Sequence, residues 1–477
     1  MHPTDLIQTR RHFFDHCGLG LGQIALASLL SGSNPGSLTA AETTRRSSTP
    51  AGPHFPPKAR AVIQLFMGGA PSHLELFDNK PELAKFEGRT IPAHLLEGQR
   101  FAFIRSDAAA LGPRFSFARH GQSGAELSEV LPHLAKVADD LCIVRSVHTE
   151  QFNHGPGQIF CNTGAAQPGR PSIGAWATYG LGAENSELPS FAVLSTGAGN
   201  SGGSANWGNG FLPSSYAGVL LRNQANLMLN VANPAGVDER MQRDTLDLLS
   251  QLNTQYQGVT GHSEVAARIA SYELAYRMQS AVPDLTDLSG EGAATLAMYG
   301  AVPEVPSFAR ACLLARRMVE RGVRFVSIFH SGWDAHSDVA GNHRERCGET
   351  DQASAALVTD LKARGLLGET LVIWGGEFGR TPMVETNPTN GRSLGRDHHP
   401  HAFTMWFAGG GVKAGLTYGR TDELGFQVAE DKVHIHDIHA TVLHLLGLDH
   451  ERLTYRFSGR DFRLTDVHGH VVHAIIA

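Results

Sequence analysis

Short apolar runs that alternate with longer amphipathic segments constrain the fold of this chain more than any other feature. Several runs have the length of a β-strand and are apolar almost throughout, as is typical of strands buried on both faces. They are residues 61–67, 141–147, 191–195, 324–329, 371–374 and 403–407. Helical spacing of apolar residues is found at 126–138, 238–252, 264–279, 308–321 and 352–366. The alternation predicts an α/β fold, a three-layer sandwich around a mostly parallel central sheet.

Polar residues follow three of these runs, at the edge where parallel sheets place their sites. His330 directly follows one run, Glu377 lies just beyond a second, and Ser72 and His73 lie just beyond a third. More than half of the 25 histidines lie after residue 329. Neutral imidazole nitrogens and carboxylate oxygens are donors that Zn, Mn and Fe take in proteins. The pattern therefore indicates a transition-metal site at the carboxyl edge of the sheet.

The pattern changes between about residues 196 and 305, where a glycine-rich loop precedes charged helices. We interpret this segment as an insertion that covers or shapes the site. Its loop, STGAGNSGGSANWGNG, matches a dinucleotide-binding pattern and a nucleophile-elbow pattern centred on Ser201. Both patterns require a helix directly after the turn, whereas further glycines and then Pro213 follow here. The loop is therefore better interpreted as a substrate-side loop.

The N-terminus has the pattern of an export signal. Residues 9–14, TRRHFF, match the twin-arginine pattern, and small residues at 39–41 offer a cleavage site. The apolar stretch between them is too short to span a membrane stably. We expect a signal peptide over 1–41, a linker over 42–57 and a folded domain over 58–477. The chain would then meet the twin-arginine translocase and reach the periplasm or the cell exterior.

The composition gives no sign of nucleic-acid binding or of essential disulfide bonds. Charged residues make up 18% of the chain and the formal net charge is −6, so no basic surface for nucleic acid is expected. The five cysteines include no CxxC pair. Because twin-arginine substrates fold before export, no essential disulfide framework is expected either.

Two motifs supply candidate ligands beyond predicted strands. In GWDAH, Asp334 and His336 are two residues apart, so that both can converge on one ion from a turning loop. His330, a few residues earlier, is a candidate to orient a ligand. In WGGEFGRTP, Glu377 is a third candidate ligand, and Arg380 suits recognition of an anionic oxygen by its forked guanidinium. Arg380 could equally pair with Glu377.

Two histidine-rich motifs follow. In GRDHHPH, we favour His399 as a ligand, with His398 as the next candidate and Asp397 as the group that orients them. In VHIHDIHATVLH, His436 and His439 are three residues apart on a predicted amphipathic helix. There a structural role is the better interpretation.

Several motifs carry a resemblance to a known family: MGGAPSH, FDNKP, NHGPGQIFCNTG, GRPSIGAW, GWDAH, GGEFGRTP, GRDHHPHAF, AGGGVKAG and DIHATVLHLLGLD. Through them the chain resembles the exported family called domain of unknown function 1501, a sulfatase-like branch of the alkaline phosphatase superfamily. The resemblance covers essentially the mature chain and implies an alkaline-phosphatase-like fold with two adjacent metal ions. It assigns one ion to Asp334, His336 and His399.

The second ion set departs from the pattern of that superfamily. The position of the first-strand Asp is Gly69, and a later Asp-His pair reads Glu377-Phe378. The nucleophile position falls at residues 153–154 and contains no Ser or Thr. The Cys/Ser-x-Pro-x-Arg signature of formylglycine sulfatases is absent from the sequence. His73, His154 and Glu377 are candidates to rebuild this second set with different ligands.

The sequence and the resemblance together lead us to expect an exported metal-dependent hydrolase of phosphate or sulfate esters on small molecules or polysaccharides. A metal-activated water would be the nucleophile. Zn is the expected ion, with Mn, Fe or Ca as alternatives, at one or two ions per chain. His154 and Arg380 are the catalytic candidates, with Thr149 and Ser72 as alternative nucleophiles. Two other hypotheses stay open: a non-catalytic binding protein on the same fold, and a serine esterase that uses Ser201.

Overall fold

The computed structural model describes residues 52–92, 108–197, 199–222, 236–260, 263–387 and 392–477, together with Leu96, Ile104 and Asn233. The expected signal peptide, residues 1–41, and most of the expected linker lie outside these residues. The end of that linker packs against the domain, because the N–H groups of His54 and Phe55 donate to the carbonyl of Gly447 at 2.8 and 3.3 Å.

The strands are β1 Ala61–Gly68, β2 Phe117–His120, β3 Ala125–Ser128, β4 Leu141–His148, β5 Phe191–Thr196, β6 Val219–Arg222, β7 Phe325–Ser331, β8 Thr370–Gly375, β9 Gly379–Asn387, β10 Arg392–His399, β11 Phe403–Ala408, β12 Leu416–Tyr418, β13 Arg420–Thr421, β14 Val428–Glu430, β15 Val433–His434, β16 Tyr455–Phe457 and β17 Arg460–Phe462. The α-helices are α1 His73–Leu76, α2 Pro81–Ala84, α3 His154–Thr163, α4 Ile173–Leu181, α5 Glu239–Thr260, α6 Ser263–Thr286, α7 Ala293–Tyr299, α8 Phe308–Glu320, α9 Val339–Ala363 and α10 Ile435–Leu445.

One large sheet organises the described chain, with strand order β12-β4-β11-β8-β1-β7-β5-β6 and β15 beside β4. β1 pairs in parallel with β7 and β8, and β5 pairs in parallel with β6 and β7. β11 is antiparallel to both of its neighbours, β4 and β8. The expected α/β class with a mostly parallel sheet is therefore confirmed.

Alternate residues of the central strand β1 enter two separate cores, as the period of two of a strand requires. Ile63, Leu65 and Met67 lie in a core with residues of α6, α8 and α9. Val62 and Phe66 lie in a core on the other face, with residues of α4 and α10. Helices thus cover both faces of the sheet, which gives the predicted three layers.

Two helix predictions need correction. Residues 126–138 form no helix: they contribute β3 and part of a 3-10 turn over Leu134–Asp140, because Pro132 interrupts the segment. Residues 352–366 are only the end of a longer helix, α9. Asp338 caps its start by accepting a hydrogen bond from the N–H of Gly341 at 3.0 Å.

Among the described residues, no helix has the length and apolarity to cross a bilayer.

The expected insertion packs on the sheet. Its long helices, α5 and α6, are joined by an ion pair of Arg243 with Glu273 at 2.5 Å. Met278 and Leu285 of α6 are buried in the same core as α8 and α9. The glycine-rich loop precedes these helices and lies at the carboxyl edge of the sheet, directly after β5.

Candidate metal centre

Three imidazoles converge on one carboxylate oxygen at the carboxyl edge of the sheet. The Nε2 atoms of His154, His336 and His398 lie 3.1, 3.0 and 3.3 Å from Oδ1 of Asp334. The possible ligand atoms of these four residues all lie within 4.8 Å of one another. Three nitrogens and one oxygen at such separations match the donor set of a four-coordinate zinc site.

Distant segments deliver these side chains. Asp334 and His336 lie in the loop after β7, His154 begins α3 after β4, and His398 lies near the end of β10. Gly69, which follows β1 with a φ of +112°, makes the approach of the β7 loop possible. A Cβ at Gly69 would lie 2.5 Å from the backbone nitrogen of Asp334.

The second ring nitrogen of each histidine is held by an acceptor. Nδ1 of His154 lies 2.7 Å from Oε1 of Glu377, and Nδ1 of His336 contacts Oε2 of Glu385. Nδ1 of His398 lies 2.7 Å from the carbonyl oxygen of Phe152. Acceptors in these positions fix the ring orientations and favour a proton on Nδ1, as they do for metal-bound histidines. Each Nε2 is then directed at the centre of the cluster.

The pKa values of Asp334 and His154 depend strongly on each other and on the groups around them. Burial acts against the charge of Asp334, but the neighbouring rings of His154, His336 and His398 and the nearby Arg380 guanidinium hold its pKa far below the ordinary range. Burial also acts against a charge on His154. Its hydrogen bonds with Asp334 and Glu377 outweigh that effect and raise its pKa to about 9. In the metal-free protein, His154 therefore holds a proton at neutral pH.

His398 shows that the cluster fits a cation. Burial lowers its pKa to about 3, so its ring is neutral at pH 7. The Phe152 carbonyl and the Asp334 carboxylate can both only accept, and the shorter contact, 2.7 Å to Phe152 against 3.3 Å to Asp334, favours the single ring proton on Nδ1 and a lone pair on Nε2. That lone pair lies 3.3 Å from the acceptor Oδ1 of Asp334. Two facing acceptors repel each other, and a cation bound by both removes the repulsion.

Arg380 lies beneath this cluster, and we correct its expected role in recognition of an anionic substrate group. Its side chain is fully buried, and Nη2 donates to Oδ1 of Asp334 at 2.6 Å. The remaining nitrogens donate to the carbonyls of Ala70 and Arg396 at 2.9 and 3.0 Å, and Nη2 also donates to Gly69. The guanidinium positions Asp334 and is shielded from a substrate.

The structure does not bring His399 or His73 to the cluster, and we correct the ligand assignment accordingly. His399 is 2% exposed, and its Nε2 contacts the carbonyl of Phe426. His73 is also 2% exposed, and its Nε2 lies 2.9 Å from the carbonyl of Gly425. Burial lowers the pKa of both rings, so each is a neutral structural histidine. His398 takes the place expected for His399.

Glu377 acts behind the cluster and is not among its ligands. Its fully buried Oε1 accepts from the N–H of Gly69 at 3.0 Å and from Nε2 of Gln158 at 3.1 Å, besides its contact with His154. Gln158 in turn accepts from the N–H of Gly202 at 3.0 Å, which ties the glycine-rich loop to the site.

The two hydroxyls expected as alternative nucleophiles are buried elsewhere. Thr149 is 3% exposed, and its Oγ1 accepts from the N–H of Gln151 at 3.4 Å. Ser72 is fully buried, and its N–H donates to Nε2 of His343 at 2.9 Å. Ser201 is exposed in the glycine-rich loop, and the α-helix that a nucleophile elbow requires does not follow it, since residues 203–207 form only a short 3-10 helix.

Glu385 is the site residue that sequence reasoning missed. With His336 and Asp397 it forms a second group whose possible ligand atoms lie within 4.8 Å of one another. Asp397 is fully buried and accepts from the backbone N–H of His398 at 2.7 Å, whereas the ring of His398 is held by the Phe152 carbonyl. Glu385 could have been found from the strand-like alternation after Arg380, which places residues 381, 383 and 385 on one face.

Comparisons with known proteins give a family and a set of distant folds. The family model described as "Protein of unknown function (DUF1501)" matches residues 59–476. A search of curated proteins found no match. The alkaline phosphatase from the Antarctic bacterium TAB5 is 10% identical, with a TM-score of 0.31 over 82% of this chain and 98% of that one. The PsFucS1 sulfatase from Pseudoalteromonas sp. is 13% identical, with a TM-score of 0.35 over 82% and 68%. The lipoteichoic acid synthase LtaP from Listeria monocytogenes is 8% identical, with a TM-score of 0.30 over 86% and 76%.

Proposed function

The chain belongs to the DUF1501 family, and from the geometry of its site we propose that it is a metal-dependent hydrolase of phosphate or sulfate esters. The observation that carries the proposal is the convergence of His154, His336 and His398 on Asp334, with each Nδ1 held by an acceptor. A divalent cation that expanded beyond its four protein ligands to take water or substrate would supply two things in such a site: it would polarise an ester oxygen and lower the pKa of water to about 7.

We favour zinc as the ion. Bonds of 2.0–2.1 Å in a tetrahedron put neighbouring ligand atoms about 3.3 Å apart. The distances from Asp334 Oδ1 to the three Nε2 atoms, 3.0 to 3.3 Å, are close to that spacing. Ca and Mn, which favour oxygen ligands and waters, suit this nitrogen-rich set less well, whereas Fe also takes imidazole and carboxylate ligands and is the alternative that elemental analysis separates from zinc.

The chain's own groups then position substrate and water. The imidazoles are largely buried, whereas the side chain of Asp334 is 40% exposed, so a substrate reaches the cluster from the Asp334 side. The glycine-rich loop, tied to Glu377 through Gln158, borders the cluster and can contact the ester group through its backbone. Glu377 holds Nδ1 of His154, so that Nε2 is directed at the ion once it has released its proton.

Metal content of the purified protein, measured by elemental analysis after reconstitution with zinc, tests the proposal. We expect about one ion per chain in the wild type and none in Asp334→Ala or His398→Ala. His434→Ala is a matched control, because His434 lies outside the cluster and pairs with Glu150. Absence of tightly held metal in the wild type would leave the histidines structural and would refute the proposal.

A panel of phosphate and sulfate esters then tests catalysis. We expect hydrolysis that a chelator abolishes and that zinc restores. A non-catalytic binding protein is a second candidate, since neither Thr149 nor Ser72 reaches the cluster and the Glu377 carboxylate is already bound to Gly69 and His154. Metal binding without turnover of any ester, together with saturable binding of an anionic glycan, would favour that candidate.

Export by the twin-arginine pathway is part of the proposal and rests on residues 9–14. The test is localisation of the full-length chain in a bacterium, with Arg10→Lys and Arg11→Lys changed together as the transport-deficient variant. Accumulation of the variant in the cytoplasm supports export by this route. Equal localisation of both proteins would contradict it.

A further inference from the structure

The helix α5, Glu239–Thr260, exposes its apolar side to solvent. Met241, Leu248, Leu249, Leu252 and Tyr256 are each between 37% and 56% exposed. At about 100° per residue along a helix, all five positions fall within a sector of about 100°, the width of the stripe that an amphipathic helix normally turns toward a core. The five side chains therefore form one continuous stripe, about 22 Å long at about 1.5 Å per residue, which we call the α5 stripe.

The opposite side of α5 is polar and packs on α6. Arg243 donates to both carboxylate oxygens of Glu273, at 3.0 and 2.5 Å, and its guanidinium lies 5.0 Å from the centre of the Tyr276 ring. Gln242 and Asn253 share this side and are partly buried. A surface helix of a monomer normally has the reverse orientation, with its apolar stripe inside and its polar residues outside. The orientation of α5 is therefore that of a helix whose apolar side belongs to an interface.

The α5 stripe has the apolar area that a stable protein interface requires. A standard interface buries about 800 Å² on each partner, of which about 60% is apolar. At the exposed fractions above, the five side chains expose roughly 450 Å² per chain, which is close to that apolar share. Apolar side chains exposed singly are ordinary, whereas a contiguous patch of this size marks an interaction surface.

The charges of α5 identify the kind of partner. Its charged residues all lie in the first half of the helix, and three of the five are acidic: Glu239, Arg240, Arg243, Asp244 and Asp247. A helix that lies on an anionic membrane has a polar face rich in Lys and Arg, which α5 lacks. Residues 248–260 carry no charge. In an antiparallel pair of α5 helices, the charged half of each helix lies against the uncharged half of the other, so no like charges meet. A parallel pair would place Asp244 beside its own copy.

We propose that the α5 stripe is a homodimer interface, in which α5 packs antiparallel on α5 of a second copy of this chain across a two-fold axis near Leu248. A two-fold interface uses the same surface on both subunits, so it requires a stripe that is complementary to itself. Residues 241, 245, 248 and 252 have the alternating spacing of four and three residues by which two helices interlock. The interface goes beyond the proposed hydrolase function and does not depend on it.

Sedimentation velocity of the full-length chain over the micromolar range tests the interface. We expect a wild-type dimer, and we expect the double variant Leu248→Glu with Leu252→Glu to bind its copy at least about a hundredfold more weakly, because charges would be buried without partners. Both positions are exposed in the single chain, and Glu forms helix about as well as Leu, so circular dichroism should show the same helix content. Gln251→Glu with Thr254→Glu adds the same charge at exposed positions outside the stripe and is the matched control, which should remain a dimer. A monomeric wild type, or equal association of the two double variants, would overturn the interface.

Disulfide trapping tests the antiparallel arrangement without disrupting the stripe. Leu248→Cys lies near the two-fold axis and should form an interchain disulfide on oxidation, since the two Cα atoms must approach within about 7 Å. Met241→Cys lies at the end of the stripe and should cross-link only when it is mixed with Tyr256→Cys. Gln251→Cys, outside the stripe, is the control. Trapping of Leu248→Cys no better than of Gln251→Cys would overturn the interface, and efficient trapping of Met241→Cys alone would overturn the antiparallel arrangement.

Cosedimentation with phosphatidylglycerol vesicles tests the remaining occupant, a membrane surface. We expect the wild type to stay in the supernatant. A wild type that binds the vesicles as a monomer, and that loses this binding in the Leu248→Glu, Leu252→Glu variant, would overturn the dimer in favour of a lipid surface.

Discussion

Replacing Glu377 with glutamine tests the electrostatic design of the metal centre most directly. Oε1 of Glu377 accepts from His154 at 2.7 Å, Gly69 at 3.0 Å and Gln158 at 3.1 Å. Glutamine can keep its carbonyl oxygen at that point, so the fold should survive Glu377→Gln. The negative charge behind His154 is lost. Loss of such a partner typically costs 10- to 100-fold in metal affinity, or about 1.4–2.7 kcal/mol.

The same change should lower the pKa of His154 in the chelated protein. In the wild type it is raised from 6.5 to about 9 by Asp334 and Glu377 against burial. The difference corresponds to roughly 3 kcal/mol of stability. Because the folded pKa is the higher one, this stability is fully present below pH 6.5 and is lost as the pH rises through about 9. Glu377→Gln should retain only the part that Asp334 provides.

Competition titration with zinc and imidazole NMR of the chelated protein measure the two effects. Glu423→Gln, at an exposed carboxylate, is the matched control. Zinc affinity within twofold of the wild type, together with a His154 pKa still at about 9, would show that Glu377 does not support the ring. The assignment of His154 as a positioned ligand would then have to be abandoned.

Four further predictions follow from the placement of the site residues. His398→Ala should abolish zinc binding, whereas His399→Ala should keep it and lower the free energy of unfolding by roughly 2–4 kcal/mol in denaturant titrations; the reverse result would restore His399 as the ligand. Arg380→Met should destabilise the fold by roughly 3–5 kcal/mol, because it leaves buried carbonyls and a carboxylate unpaired; normal stability with only a raised KM would return Arg380 to substrate binding. Apparent zinc affinity should increase from about pH 6 to pH 9, since His154 must release its proton to bind; competition titrations that show no pH dependence would contradict this. Ser201→Ala should leave ester hydrolysis unchanged. If Ser201→Ala instead abolished hydrolysis, and chelators left the hydrolysis by the wild type intact, the serine esterase would be established.

The sheet could be predicted because its strands are apolar on both faces. Residues 61–67 and 403–407 were expected as strands, and β1 and β11 occupy Ala61–Gly68 and Phe403–Ala408. The direction of β11 was not predictable, since an apolar run carries no information on whether its neighbours are parallel. The start of α9 was missed because its first turns carry polar residues, and only the Asp338 cap marks them.

The sequence identified the segments that form the site, but it did not always identify which side chain in a segment faces the ion. His398 and His399 are neighbours on strand β10, so they point to opposite sides, and the sequence alone does not say which side faces the ion. His73 follows β1 as expected, but it starts the short helix α1, which turns its ring away toward Gly425. Asp334 and His336 were predictable because a turning loop after a strand allows both to converge.

The position of Asp334 has a consequence for how the site is assembled. Its carboxylate oxygen receives side chains that are as many as 180 residues earlier in sequence, at His154, and 64 residues later, at His398. Contacts of such long separation form only after the intervening chain has closed its loops. A partly folded chain therefore lacks the candidate metal centre, and under the proposed function metal uptake would report complete folding. If the chain folds before it crosses a membrane, the compartment of folding would decide which metal is offered to the site.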